Sequence, residues 1–278
     1  MSRGIGQVMF QENACSGCFM LAAVALHSWP QAIMALAGNV IGNVTAVAAG
    51  YSRRDIYRGL YGFNGTLVGI AVGVYFRFSV LSVAVLVAGA ALSSWIARLF
   101  SRRKGLPGLT APFIISVWAM MSVGRIVFPD MLPVVETPVA DTVEPFGAFC
   151  RSVGQVMFQC STLSGMLFLV GISCSSLRGT LNAAIGAALP LLAALIPGIG
   201  YGAFNAGLFG YNGVLCAMAL GGSVRNYGWV LIAVALSVVL QIAGMAAGLA
   251  TLTAPFVLSV WIVECLHKTV SRMACKRR

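Results

Sequence analysis

Gly6 to Gly17 read GQVMFQENACSG and Gly154 to Gly165 read GQVMFQCSTLSG, identical at eight of twelve positions. The same offset of 148 relates GLYGFNGTLVGIA, from Gly59 to Ala71, to GLFGYNGVLCAMA, from Gly207 to Ala219. A third pair, LTAPFIISVW from Leu109 and LTAPFVLSVW from Leu252, agrees at eight of ten positions with an offset of 143. Three collinear matches make this chain a duplicated unit. Whatever one half folds into, the other must fold into as well.

The unit is apolar. The 278 residues are 59% hydrophobic and 9% charged, with a mean hydropathy of +0.91, whereas a soluble domain carries roughly a quarter charged residues. A helix crossing a bilayer needs about 20 residues, and strands of a membrane barrel would alternate polar with apolar. Runs such as Ser79 to Leu99 and Tyr227 to Leu249 do not alternate, so the crossings are helical. Five are expected in the first half, at 9–28, 31–50, 64–77, 79–99 and 107–125, and five in the second, at 152–172, 179–197, 208–223, 229–248 and 252–267. Ser52 to Gly62 is too polar and short to span and is the candidate for a re-entrant half-helix. An odd number of crossings per repeat sends the second copy in from the opposite side, as in many transport proteins. The expected fold is an all-α integral membrane protein of two inverted repeats, 1–126 and 151–278, joined by an external linker at 127–150, with a pore between the halves.

Charge placement agrees. With the amino terminus inside, fifteen of the eighteen basic residues fall in inner loops and tails, including the SRRK turn at 101–104, Arg225 and the terminal Lys276, Arg277 and Arg278. Only Arg77, Arg125 and Arg151 fall outside, and the linker carries Asp130, Glu136, Asp141 and Glu144 with no base before Arg151. Both termini are therefore expected on the cytoplasmic side, and the net charge of +11 reports topology rather than nucleic-acid binding. The first helix lacks a small-residue cleavage site and is expected to be retained.

The chemistry available at membrane depth is neutral. Glu12 and Glu264 are the acids near the spans, both toward helix ends, and His27 sits at an interface beside Trp29 and Pro30. That leaves no buried carboxylate or histidine to couple protons or sodium. Cys15 and Cys18 have metal-like spacing without a second pair, so no metal, cofactor or catalytic centre is expected. The polar residues that recur are Gln7 and Gln155, Asn64 and Asn212, and Thr110 and Thr253. Beside them recur flat or branched groups: Val8, Phe10, Phe63 and Leu67 in one half, and Val156, Phe158, Tyr211 and Leu215 in the other. A urea-sized solute must keep its hydrogen bonds or lose several kcal/mol, and its flat faces suit an aromatic slot. Side-chain amides, threonine hydroxyls and free helix-end carbonyls can replace its water. The asparagines are better suited to bracing a break in the backbone than to touching a solute.

With these paired GQVMF, GLYGFNG/GLFGYNG and LTAPF segments in order, the whole chain resembles the urea transporter family of bacteria and animals. The resemblance implies a trimer with one pore per protomer, two re-entrant helices, and channel-like passage of urea down its gradient across a bacterial inner membrane. It also implies that Gln7, Val8, Phe10, Phe63 and Leu67 shape one end of the filter. Gln155, Val156, Phe158, Tyr211 and Leu215 shape the other, and Thr110 and Thr253 border the centre. Tyr211 departs from the apolar ring common in the family, which opens strict urea selectivity to question. A channel for another small neutral solute (a short amide, ammonia or water) fits the same residues, and an ion-coupled transporter fits them less well.

Overall fold

The computed structural model describes residues 1–102, 105–133, 139–222 and 227–276. Arg103, Lys104, Glu136, Arg225, Arg277 and Arg278, on which part of the charge argument rests, lie outside the described residues, as does the Lys276 side chain. The described residues form α-helices and short 3₁₀ turns, with no strand among them. The first half holds α1 (Ser2–Gln7), α2 (Ala14–His27), α3 (Trp29–Ala48), α4 (Arg53–Tyr57), α5 (Gly62–Tyr75), α6 (Val80–Arg102) and α7 (Ala111–Val127). The second holds α8 (Pro145–Gly154), α9 (Thr162–Ser173), α10 (Leu177–Ala188), α11 (Tyr201–Asn205), α12 (Tyr211–Leu220), α13 (Tyr227–Ala246) and α14 (Ala254–Lys276).

The two series start their helices with the same chemistry. Asn13 and Ser161, 148 residues apart, cap α2 and α9 by accepting from the backbone N–H of Cys15 and Ser164. Ser28 and Ser176, at the same offset, cap α3 and α10. Such oxygens satisfy N–H groups that have no partner within the helix. Proline in the first turn starts α7 and α8, where its missing donor costs nothing.

Among the described residues four helices are long and apolar enough to cross a membrane: Trp29–Ala48, Val80–Arg102, Leu177–Leu195 and Tyr227–Ala246. Pro145–Met157 with Thr162–Ser173 would be a fifth, bent by 70°. Gly62–Tyr75, Ala111–Val127 and Tyr211–Leu220 are apolar but shorter. The expected segment 9–28 is helical from Ala14, as α2, and α1 precedes it. The expected segment 152–172 is divided between α8 and α9. In both places the residue that turns the chain is a phenylalanine. Ser52 to Gly62 holds a helix of five residues, α4. Helix α8 already begins within the expected linker, at Pro145, and α14 continues beyond 267 to Lys276.

The halves mesh reciprocally. Ser164 of α9 donates to the Ala23 carbonyl of α2 at 3.0 Å, while Gly171 of α9 lies against the Ser16 carbonyl. Ser16 is the repeat mate of Ser164, and Ala23 that of Gly171. Each half has helices that touch backbone to backbone, among them Gly38 of α3 on Gly65 of α5, and Gly186 of α10 on Gly213 of α12. A Cβ at any of these four would overlap the facing carbonyl. Gly65→Val should therefore destabilise the fold by at least the ~1–3 kcal/mol of an overpacked core. Gly200→Ala, at φ −71° with nothing within 4 Å, should leave thermal unfolding in detergent unchanged.

Candidate functional site

Helix α1 closes with a Schellman turn. The Gln11 N–H donates to the Gly6 carbonyl and the Phe10 N–H to the Gln7 carbonyl, each at 3.0 Å, with Phe10 left-handed at φ 56°. The repeat is faithful: Gln159 donates to Gly154, Phe158 donates to Gln155, and Phe158 has φ 60°. Glycine normally occupies this place, and glycine makes the same turn after α4 and α11, at Gly59 and Gly207. A side chain there costs about 1–2 kcal/mol, so the two phenylalanines are retained against the local preference. Their rings account for it. Phe10 meets Phe256 edge-to-face at 6.2 Å and 78°, and Phe158 meets Phe113 at 6.2 Å and 74°. Each ring from one half stands against the LTAPF segment of the other.

Those LTAPF segments carry the remaining strain and its compensation. Leu109 and Leu252 are left-handed at φ 47° and 48°, and α7 and α14 begin two residues later. Helix starts leave N–H groups unpaired. Here Asn64 Oδ1 accepts from the Phe113 N–H, and Asn212 Oδ1 from the Phe256 N–H, both at 3.1 Å. The indole of Trp118 donates to the Ala250 carbonyl and that of Trp261 to the Pro107 carbonyl, both at 2.8 Å, each across to the other half. At the centre Thr110 Oγ1 and Thr253 Oγ1 lie 2.7 Å apart, both residues buried.

A cavity of about 570 Å³ opens on the first-half side of this bond. Gln7, Val8, Phe10, Phe63 and Thr110 line it, together with Tyr61, Asn64, Phe100 and the Leu106–Leu109 loop. The exposed Ser101 and Gly105, with Asp55 and Glu264, line it as well. The other candidate residues are placed differently. Thr253 reaches the cavity wall through Thr110. Phe158 packs between Phe113 and Tyr75. Leu67, Val156 and Leu215 are buried in the core. Gln155 donates its amide to the Ala206 carbonyl at 3.1 Å. The Tyr211 hydroxyl donates to the Leu252 carbonyl at 2.5 Å and lies 3.3 Å from Gln241 Oε1 and Thr251 Oγ1. It braces the second LTAPF loop.

Several contributors escaped the sequence reading. Gln11 and Gln159 turn their side-chain amides back onto the Met9 and Met157 carbonyls, and their signal was the final letter of the repeated GQVMFQ. Tyr61 and Gln241 carry no comparable signal, since neither recurs in the other half. The arrangement offers a passing molecule neutral donors and acceptors between aromatic edges, and no formal charge at its inner end.

A family model described as urea transporter matches residues 1–268. Urea transporter 1 of Rattus norvegicus is 32% identical over 248 residues, covering 82% of this chain and 63% of that protein. Urea transporter 1 of Mus musculus is 30% identical, and that of Ovis aries 29%, over the same shares. The chain thus spans a little under two thirds of the length of the curated relatives it matches.

The Phe10 turn gives a direct test of function held against stability. Phe10→Gly should be more stable than Phe10→Ala by about 1–2 kcal/mol, because both lose the ring and only glycine accepts the left-handed backbone freely. Equilibrium unfolding of the two variants in detergent measures the difference.

Proposed function

The chain belongs to the urea transporter family, whose members are transport proteins rather than enzymes, and from that premise we propose that it passes urea down its gradient through a channel between its two repeats. The observation that carries this reading is the Thr110–Thr253 hydroxyl pair at the inner end of the cavity, flanked by the reciprocal ring pairs Phe10–Phe256 and Phe158–Phe113. A neutral planar molecule loses its hydration shell entering such a slot and regains equivalent bonds from amide, hydroxyl and carbonyl dipoles. A hydrated ion regains too little.

Contacts in which repeat mates exchange partners are those of a two-fold axis. With an odd number of crossings per repeat, that axis lies in the membrane plane and the halves are inverted. This supports Gln7, Val8, Phe10, Phe63 and Leu67 with Thr110 on one flank of the filter, and Gln155, Val156, Phe158, Tyr211 and Leu215 with Thr253 on the other. The basic inner loops support a bacterial inner-membrane location with both termini cytoplasmic. The trimeric assembly rests on the family resemblance alone.

Stopped-flow measurement on proteoliposomes should show urea equilibrating without accumulation and without dependence on a proton or sodium gradient. Liposomes that remain impermeable to urea would overturn the proposal. Gln7→Ala and Gln155→Ala should each slow urea flux about fivefold at equal protein amount, the equivalent of one net hydrogen bond of about 1 kcal/mol.

A further inference from the structure

The helix pair through which the halves mesh carries two thiols away from the cavity. Helices α2 and α9 run antiparallel, since the start of α9 meets the end of α2 at Ser164 and Ala23, and its end meets the start of α2 at Gly171 and Ser16. The approach is close: a Cβ on Gly171 would lie 3.0 Å from the Phe19 Cβ. Cys15 lies four residues before Phe19 and Cys174 three after Gly171. Each is thus one turn along the same face, in the direction that antiparallel helices share. Their side chains interact with each other. Both residues are exposed, and neither is in a disulfide.

The other end of the same helix pair shows what packing alone requires. At the offset of 148, the mates of Cys15 and Cys174 are Leu163 and Leu26. Both leucines are also exposed, at 52% and 67%. An apolar side chain therefore serves the fold in the equivalent place, and nothing in the packing calls for a pair of sulfurs. Cys18 follows Cys15 on α2, whereas Cys174 comes from the other repeat.

We propose that Cys15 and Cys174 are an oxidative modification site, at which a peroxide converts the two thiols into a reversible disulfide between the repeats. One thiolate attacks a peroxide oxygen and the O–O bond breaks. A sulfenic acid forms, and the hydroxide released takes up the thiol proton as water. The second thiolate attacks that sulfur, the S–O bond breaks, and a second water leaves in the same way. Two thiols lose two electrons in all, and hydrogen peroxide is reduced to two waters. A dithiol reverses the bond by exchange. Exposure admits the oxidant, and contact holds the second thiol in place to resolve the sulfenic acid. The bond fastens α2 to α9 where the halves meet, whatever solute the protein passes.

The test takes the purified protein in liposomes, treats it with hydrogen peroxide, blocks remaining thiols with N-ethylmaleimide and digests it without reductant. Mass spectrometry should find the peptide containing Cys15 joined to the one containing Cys174, within one molecule, and dithiothreitol should abolish the link. Cys15→Ser and Cys174→Ser should each remove it, and Cys18→Ser should leave it. Oxidation should raise the thermal midpoint of the wild type by about 5–10 °C, as for a bond joining distant parts of a chain. The midpoint of Cys174→Ser should not move. Cys15 joined to Cys18 instead, a link between molecules, or both thiols recovered alkylated after peroxide would overturn the site. A linked protein with an unmoved midpoint would overturn the fastening of the repeats.

Discussion

A helix that stops within a membrane exposes peptide groups that lipid cannot satisfy, and the centre of this molecule is organised around meeting that demand. The N–H groups at the starts of α7 and α14 are taken up by Asn64 and Asn212, side chains from different helices. The ends of α1 and α8 close on themselves through six-residue turns, and Gln11 and Gln159 bond the carbonyls that those turns leave over.

The breaks hold their shape because the frame around them cannot give way. Gly38 on Gly65 and Gly186 on Gly213 bring α3 to α5 and α10 to α12 at backbone distance. Trp118 and Trp261 tie each LTAPF helix to the loop before the other. Left-handed Phe10, Leu109, Phe158 and Leu252 are therefore local costs carried by a rigid surround. They fall in two of the three repeated motifs, at equivalent places in the two copies.

Much of this was legible from the letters. Duplication followed from the three motif pairs, and the all-helical, membrane-compatible character from unbroken apolar runs. The turns at Phe10 and Phe158 were not expected, because phenylalanine stands where a left-handed turn normally carries glycine. Asn13 and Ser161 did advertise fresh helix starts there. Gln7, Val8, Phe10, Phe63 and Thr110, singled out because polar and aromatic letters recur there together, are five of the nineteen residues that line the cavity. The fate of the Tyr211 hydroxyl was beyond sequence, depending on Gln241 and Thr251 arriving from distant helices. Leu67 and Leu215 show the converse limit, because an apolar letter cannot reveal whether it faces a cavity or a neighbour.

The bond between Thr110 and Thr253 joins equivalent positions, and either hydroxyl serves as its donor. Such a latch has no preferred direction. On the proposed channel reading, a molecule offering both an acceptor and a donor would replace one hydroxyl–hydroxyl bond with two of its own, and the hydroxyls would re-form their bond once it had gone. Selection of that kind would need no swinging domain or stored energy, only two rotatable O–H groups.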